Sequence, residues 1–378
     1  MKRIIYIANV RIPTEKAHGI QIMKMCESFA LSNPGNVELI VPNRFNPIKE
    51  DAFAYYRVKK NFKITKIPCF DLIPLDKYLG RVSLWIQALS FSFFVFPYLF
   101  FKKADIIYTR NKFLLFLCFF KKKIIFEAHV FPKNYSLYSL FFKKIKGMVV
   151  ITKKLKDLFR KAGILEHKIL VAPDAVDLEK FDLKENREEC RKRLNLSFDK
   201  KIVLYAGHLY KWKGADVLAQ VSEYLPRDVS IYFVGGTDKD IKEFKNKNSK
   251  FKVQVVGHRP HSEIPYWLKA ADILVLPNTA EENISKYWTS PIKMFEYMAA
   301  KRPIIASDLP SIREILNEKN ALLVNSDNSK DLARGIRKIL ENPELATKIL
   351  TQAFKDVQGY TWQKRAKIIL NFIYGQII

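Results

Sequence analysis

Short runs of β-branched and aliphatic residues alternate along this chain with longer stretches in which apolar positions recur every three or four residues. In the first half the short runs fall at 3–7, 37–41, 106–108, 123–126, 147–151 and 169–172, with helix-length stretches at 20–31, 84–101 and 153–162 between them. That alternation predicts a parallel sheet with covering helices. From residue 201 the pattern begins again, with strand-like runs at 201–205, 230–234, 253–256, 273–276, 303–306 and 321–324, a helix from Ala215 and another near 292–300. Two α/β domains in series follow, the first expected over 1–182 and the second over 183–361, with a last helix at about 362–378 packing back on the first. The polar segment 182–200, which contains DLKENREECRKR, reads as a linker with a short helix. No short tandem repeat or low-complexity tract interrupts the pattern.

Composition agrees with this picture and adds one asymmetry. At 378 residues, 48% hydrophobic and 13% aromatic, the chain has material for two cores and is neither disordered nor a small disulfide scaffold. Its 65 Lys and Arg against 38 Asp and Glu leave a net charge of +27. The excess is regional: residues 57–161 hold 23 basic and 5 acidic side chains. A lysine-rich composition explains part of the surplus but not its concentration. Cys26, Cys69, Cys118 and Cys190 lie far apart with no CxxC, as reduced thiols of a cytoplasmic protein would. The opening MKRIIYIANVR has too short an apolar run for a signal peptide and reads as a first strand. Residues 82–101 carry no charge, long enough to raise the question of a membrane span. Ser83, Gln87, Ser90, Ser92 and Pro97 within the stretch, and the strand-like ADIIYTR after it, favour a buried or membrane-resting helix. A high isoelectric point also suits nucleic-acid binding, but no recognisable nucleic-acid module is present.

In doubly wound folds, ligands bind where strand ends lead into helix N-termini, so chemistry is sought in those loops. YAGHLYKWKG places Gly207 and His208 after a strand and Lys213-Gly214 before a helix, a glycine for close approach of a phosphate and a lysine for its oxygens. FVGGTD puts Gly235 and Gly236 after another strand, where a plain tight turn is the alternative. VVGHRPH follows Gly257 with His258, Arg259 and His261, which without a carboxylate cluster read as exposed loop histidines and not as a metal site. In TSPIKMFEYMAAKRP, Ser290 is expected to cap a helix with Pro291 in its first turn, leaving free N–H groups and the positive dipole end for a diphosphate. Glu296, flanked by Phe295, Tyr297 and Met298, is expected to be shielded from solvent and suited to ribose hydroxyls.

These residues together resemble the nucleotide-sugar glycosyltransferases of family four. The likeness covers 290–316, 207–214 and 257–277, and extends to ANVRIPTEKAHGIQ, FEAHV and ILVAPDAVDLEKF in the first half. It implies a GT-B fold, α/β with two tandem Rossmann-like domains facing across a cleft, and a retaining, metal-independent hexosyl transfer from a nucleoside diphosphate sugar to an acceptor hydroxyl, with no bound cofactor. By the same resemblance Gly19 lies in the loop opposite the donor phosphates, and His129 contacts the transferred sugar. Lys213 with Gly207 and His208 holds the diphosphate, Glu296 holds the ribose, and Arg259 flanks the base. Ser290, Pro291 and Ile292 present the helix N-terminus to phosphates and sugar. Three positions depart from the family: His208 stands where an arginine is usual, Trp288 where the first of two glutamates is usual, and Asp174-Ala175 where Asn-Gly is usual. They keep a second reading open, a catalytically impaired GT-B scaffold or partner subunit at the membrane surface.

The basic region falls in the half expected to bind the acceptor. Its lysines alternate with aromatic clusters in FFVFPYLFFKK, KFLLFLCFFKKK and LYSLFFKKIKG. Apolar side chains beside lysines suit an anionic membrane surface. The expectation is a cytoplasmic protein, peripheral on the inner face of the plasma membrane, with a glycan or lipid-linked acceptor in cell-surface glycan or glycolipid assembly. A core of aromatics under an ordinary solvated lysine face is the alternative.

Overall fold

The computed structural model describes residues 2–120 and 123–376. Lys121 and Lys122 of the basic region, and the last two residues of the expected C-terminal helix, lie outside them. The chain divides into two compact units, Met1–Pro173 with Trp362–Ile378, and Asp174–Thr361.

The first unit is built on a seven-stranded sheet of β1 (Ile4–Ile7), β2 (Val37–Pro42), β3 (Lys63–Ile67), β4 (Ile106–Thr109), β5 (Ile124–Ala128), β6 (Gly147–Val150) and β7 (Ile169–Val171) in the order β3-β2-β1-β4-β5-β6-β7. Every pairing is parallel. Strands β1, β2, β4, β5 and β6 are buried throughout, which is why they read as continuous apolar runs. The sequence pattern did not single out β3, an edge strand whose Lys63 and Lys66 face solvent. Lysines on an edge blunt its tendency to pair with other chains and, by the same token, erase its hydrophobic signature.

Helix α1 (Ala17–Ser32) follows β1, α2 (Arg81–Phe101) precedes β4, and α3 (Tyr135–Lys144) lies between β5 and β6. Helix α2 is long and apolar enough to cross a membrane by length and composition, yet its two faces are inverted relative to a core helix. Its buried side carries Ser83, Gln87, Ala88, Ser90 and Ser92 alongside Phe91, Val95 and Leu99. The buried hydroxyls are satisfied locally: Ser83 donates to the Gly80 carbonyl at 2.8 Å, Ser90 to that of Gln87 at 3.1 Å and Ser92 to that of Ala88 at 2.8 Å. Its outward side carries Leu84, Trp85, Leu89, Phe93, Phe100 and Phe101, with Phe93 72% and Phe101 83% exposed.

The second unit holds a six-stranded sheet of β8 (Lys201–Ala206), β9 (Val229–Val234), β10 (Val253–Gly257), β11 (Ile273–Leu276), β12 (Ile304–Ser307) and β13 (Leu322–Val324), ordered β10-β9-β8-β11-β12-β13 and again parallel. Helix α4 (Ile292–Ala299) leads into β12 and packs against α5 (Pro343–Val357). The segment 182–200, expected as a linker with a short helix, belongs to this unit. Its helix Arg187–Arg193 starts on an Asn186–Glu189 capping box and buries Cys190 and Arg191, the latter paired with Asp272 at 2.6 Å. Residues 174–182 belong to the same unit: the Val176 N–H donates to the Tyr360 carbonyl at 2.9 Å, and Phe181 joins a core cluster with Trp267 and Phe295. All four cysteines are free thiols.

After the second unit the chain returns to the first as α6 (Trp362–Gly375), which packs on α1. Gly147 makes room for it, since a Cβ there would lie 2.8 Å from the Phe372 ring. From α6 the Arg365 guanidinium reaches the Pro173 carbonyl at 2.8 Å and Glu127 on β5 at 2.8 Å, both ends of the Arg365–Glu127 pair being buried. Burial disfavours the Glu127 carboxylate, but Arg365 and then His129 outweigh it and hold its pKa well below the ordinary 4.5. A carboxylate depressed on folding stabilises the fold above its unfolded pKa, and that contribution is lost as the pH falls through the folded value. Arg365→Met is therefore expected to cost about 3 kcal/mol in urea unfolding near neutral pH. The gap from the parent protein should narrow as the pH falls, because Glu127, buried without its guanidinium, takes up a proton in the variant at higher pH than in the parent.

Candidate functional site

In each sheet the strand order reverses direction at one place, between β1 and β4 in the first unit and between β8 and β11 in the second. The loops beyond the carboxyl ends of those strand pairs diverge and leave a crevice, the usual ligand position in such sheets.

In the second unit the loop after β8 is fixed from several sides. Gly207 has φ +132°, and its N–H donates to the Val234 carbonyl at 2.8 Å. The Ala206 N–H donates to the Tyr297 hydroxyl of α4 at 2.7 Å, and the Tyr205 hydroxyl donates to the His208 carbonyl at 2.6 Å. The His208 ring stacks on Tyr210 with centroids 5.0 Å apart, and its Nδ1 lies 3.2 Å from an Asp240 oxygen. Lys213 ends a 3-10 turn, Lys211–Lys213, with its ammonium 5.2 Å and 5.3 Å from the Tyr210 and Trp212 ring centroids. Burial pushes this amine down to about 8 against the upward pull of Asp240. Gly214 then turns the chain at φ +71° so close to the loop after β11 that a Cβ would meet the Pro277 carbonyl oxygen at 1.7 Å.

Helix α4 enters the same region. Its N-cap is Pro291, with no side-chain cap. Ser290, expected as the cap, lies one residue earlier, and its hydroxyl accepts the Asp174 N–H at 3.0 Å, because the turn at Thr289 to Pro291 is extended and carries it toward residue 174. The first amides of α4, at Ile292 and Lys293, thus face no capping side chain. A Cβ on Gly207 would stand 3.8 Å from Lys293 Cδ and 3.9 Å from Lys213 Nζ, so both lysines reach the one glycine. Glu296 is 7% exposed, and its carboxylate lies 2.6 Å from His261 Nε2. His258 and Arg259 are exposed on the loop after β10, as expected, whereas His261 is not a free loop histidine. Trp288 ends a π-helical turn, Ile284–Trp288, and its indole nitrogen is buried without a hydrogen-bond partner.

In the first unit Glu127, at the end of β5, gathers a polar cluster. One of its oxygens accepts from Gln21 at 2.7 Å and lies 3.0 Å from His129 Nε2; the other accepts from Tyr108 at 2.7 Å. Arg110, after β4, donates to Gln21. His18, in the first turn of α1, is pushed down to about 3, first by burial and then by Arg110, Lys16 and His129. An imidazole at that value is neutral at physiological pH. Gly19 lies within α1 and not in the loop before it. A Cβ there would meet the Tyr56 hydroxyl at 2.2 Å, and that hydroxyl holds the Thr14 amide at 2.6 Å and carbonyl at 2.8 Å. A recess of about 870 Å³ in this unit, lined by Pro13, Arg44, Phe45, Lys49, Phe53 and Lys63 among others, includes neither His129 nor Glu127.

The structure thus brings Gly207, Lys213 and the start of α4 together, adds His261 to Glu296, and reveals Lys293, which the sequence pattern did not single out. Among the described residues no three His, Cys, Asp or Glu side chains come together as metal ligands would.

Residues 200–342 match the family model of Glycosyl transferases group 1. The chain is 24% identical over 342 residues to the uncharacterized glycosyltransferase MJ1069 of Methanocaldococcus jannaschii, covering 81% of this chain and 83% of that one. It is also 24% identical over 224 residues to a D-inositol 3-phosphate glycosyltransferase of Catenulispora acidiphila, spanning 55% of this chain and about half, 52%, of that relative. Among solved structures, Anabaena Alr3699/HepE in complex with UDP and glucose superposes with a TM-score of 0.76 at 15% identity, covering 99% of this chain and 100% of that one. The two parallel-sheet units are those of the GT-B fold.

Gly214→Ala tests whether the approach of the Lys213 loop to Pro277 is obligatory. With a left-handed backbone and a backbone oxygen in the way, the expected loss is at least about 2 kcal/mol in thermal or urea unfolding. Gly375→Ala, where a Cβ meets nothing within 4 Å, is the neutral control.

Proposed function

We propose that this chain, a GT-B glycosyltransferase by fold and by the family match of its second unit, moves a hexosyl group from a nucleoside diphosphate sugar to an acceptor hydroxyl with retention of configuration. The observation that carries the reading is the convergence of Lys213, Gly207 and the uncapped start of α4 at the strand-order reversal of the second sheet. Bare amides, a helix dipole and an ammonium group together make an anion site. Charge grows on the diphosphate as the glycosidic bond breaks, and donors already oriented there lower the barrier without rearranging. Positive charge of this kind does the work a divalent cation does in other transferases, so the reading is metal-independent, with the donor as substrate and no bound cofactor.

The remaining roles follow. Glu296, oriented by His261, accepts the ribose hydroxyls; Arg259 and the exposed loop after β10 flank the base; Pro291 and Ile292 begin the helix that meets the phosphates, and Ser290 anchors its approach. His208, tied to Asp240 and Tyr210, shapes the phosphate loop. In the first unit His129, oriented by Glu127, contacts the transferred sugar, and Gly19 keeps the loop after β1 against Tyr56. A second reading, a GT-B scaffold that has lost transfer, is favoured by Trp288 in place of a family glutamate.

The first unit takes a glycan or lipid-linked acceptor, and we place the protein in the cytoplasm, peripheral on the inner face of the plasma membrane. The support is the inverted face of α2, continued by exposed Phe119 and Phe120 after β4 and by Leu137 and Leu140 on α3. Lysines sit among these side chains, Lys144 lying 4.1 Å from the Phe119 ring centroid and Lys112 5.0 Å from that of Tyr138. Apolar insertion beside cationic side chains matches an anionic bilayer. Nucleic acid is not part of this reading.

Hydrolysis of UDP-, GDP- and ADP-sugars by the purified chain tests the donor assignment, and inertness toward all of them, without nucleotide binding, would leave the scaffold reading in its place. Lys213→Ala is expected to lower turnover at least ~10²-fold, as loss of one transition-state donor does; near-normal turnover would overturn its role. In vesicle co-sedimentation, the double substitution of Phe93 and Phe101 by serine should weaken binding to anionic vesicles by tenfold or more, on the order of the transfer free energy of two aromatic side chains, while donor hydrolysis stays unchanged. Equal sedimentation of parent and variant would refute the docking face.

A further inference from the structure

Lys293 occupies a place that an amphipathic-helix pattern assigns to solvent, yet it is 8% exposed. Its ammonium nitrogen has no hydrogen-bond partner. What it does have is the face of Tyr205, 3.8 Å from the ring centroid, a contact that offsets only part of the cost of dehydrating a cation. The groups around it explain why nothing else compensates. Glu296, one turn further along α4, is engaged by His261. Asp240 is engaged by His208 and by the Thr237 amide. Tyr205 and Tyr297 are phenols, both pushed upward by burial and so uncharged. The remaining neighbour is a second cation, Lys213, at the same glycine. Two lysine side chains therefore converge beside Gly207 and the first amides of α4, Lys213 by its ammonium and Lys293 by its stem, and the Lys293 amine has no hydrogen-bonded anion.

We propose that Lys293 is a second phosphate-binding lysine of the donor site, which with Lys213 forms a clamp that takes up a proton as the nucleoside diphosphate binds. This rests on the donor reading above and adds to it the residue and the charge state. Burial first and Lys213 second push the Lys293 amine well below its ordinary value, against a weaker upward pull from Glu296, so its surroundings disfavour the charged form. A diphosphate supplies the missing negative charge, so protonation becomes favourable in the complex, and the amine gains a charge-assisted hydrogen bond. The sign of the pH dependence follows. Affinity falls as the pH rises, because each bound ligand needs a proton that becomes scarcer, and Lys213, pushed down to about 8 when empty, steepens the fall above that pH.

The clamp also gives the His208 position a physical reading. Where the family places an always-charged arginine, this chain has a ring held by Asp240, and the second positive charge comes from α4 instead.

The test is isothermal titration of the full chain with UDP, GDP and ADP at pH 7.5, in buffers of different ionisation enthalpy. The nucleotide that binds should do so with net uptake of close to one proton. Lys293→Met should remove most of that uptake, leaving the fraction that Lys213 contributes at this pH, and weaken binding about 30-fold, the order set by one hydrogen bond to a charged group, while its thermal unfolding matches or exceeds the parent's. A neutral thioether removes the desolvated amine, so a fold defect and a lost clamp are distinguishable. Nucleotide binding without proton uptake, or unchanged affinity in Lys293→Met, overturns the clamp and leaves the donor reading standing. Failure of the parent chain to bind any of the three overturns the donor reading, and the clamp with it.

Discussion

A single buried carboxylate organises the first unit. Glu127 sits at the end of β5 in the middle of the sheet, where an unpaired charge would be prohibitively expensive. It is tolerated because α1, β1, β4 and α6 each send a partner to it: Gln21, Tyr6, Tyr108 and Arg365, with His129 on the adjoining loop. Satisfying that one group fixes where α6 docks, how α1 is turned, and how the His129 ring is held. Position and chemistry are therefore set by the same electrostatic requirement. Hydrophobic burial makes the sheet, and the carboxylate decides which elements meet at its carboxyl edge.

The second unit solves the reverse problem. Its buried amine on α4 is not matched by a buried anion, and the nearby carboxylates are committed elsewhere. A protein selected for stability alone would replace such a lysine by an apolar residue of similar volume. Its position beside an uncapped helix start and a left-handed glycine is what the proposed clamp rests on. Close approach of Gly214 to Pro277 shows how tightly the loops are drawn together to make that geometry.

Much of this was legible in the order of residues. The buried strands announced themselves as apolar runs, and Gly207, Lys213 and Gly214 stood out because a glycine after a strand admits a phosphate and a lysine before a helix can reach its oxygens, although a solvated lysine there is the commoner arrangement. Edge strand β3 did not, since exposed Lys63 and Lys66, three positions apart, break the apolar run and the alternation of a strand. Segment 182–200 was charged enough to pass for a linker, yet Arg191 is buried because Asp272 waits for it across the unit, a partner that no local pattern reveals. Ser290 resembled a helix cap, but its hydroxyl is taken by a residue 116 positions away in sequence. Lys293 was not singled out, and His261 read as an exposed loop histidine, for the same reason: an ionisable side chain's role depends on what faces it, and those partners come from other elements. In α2 the pattern gave the length and apolarity, while only the packing showed that the small polar residues turn inward.

The return of α6 to the first unit has a consequence in time. Chain synthesis completes β1 to β7 and then all of Asp174–Thr361 before Arg365 exists. Throughout that interval Glu127 lacks its principal counter-charge and the α1 surface lacks its cover, so the first unit is unfinished while the second, contiguous in sequence, has everything it needs. A chain cut before residue 362 would hold every residue of the second unit and lack the helix that completes the first.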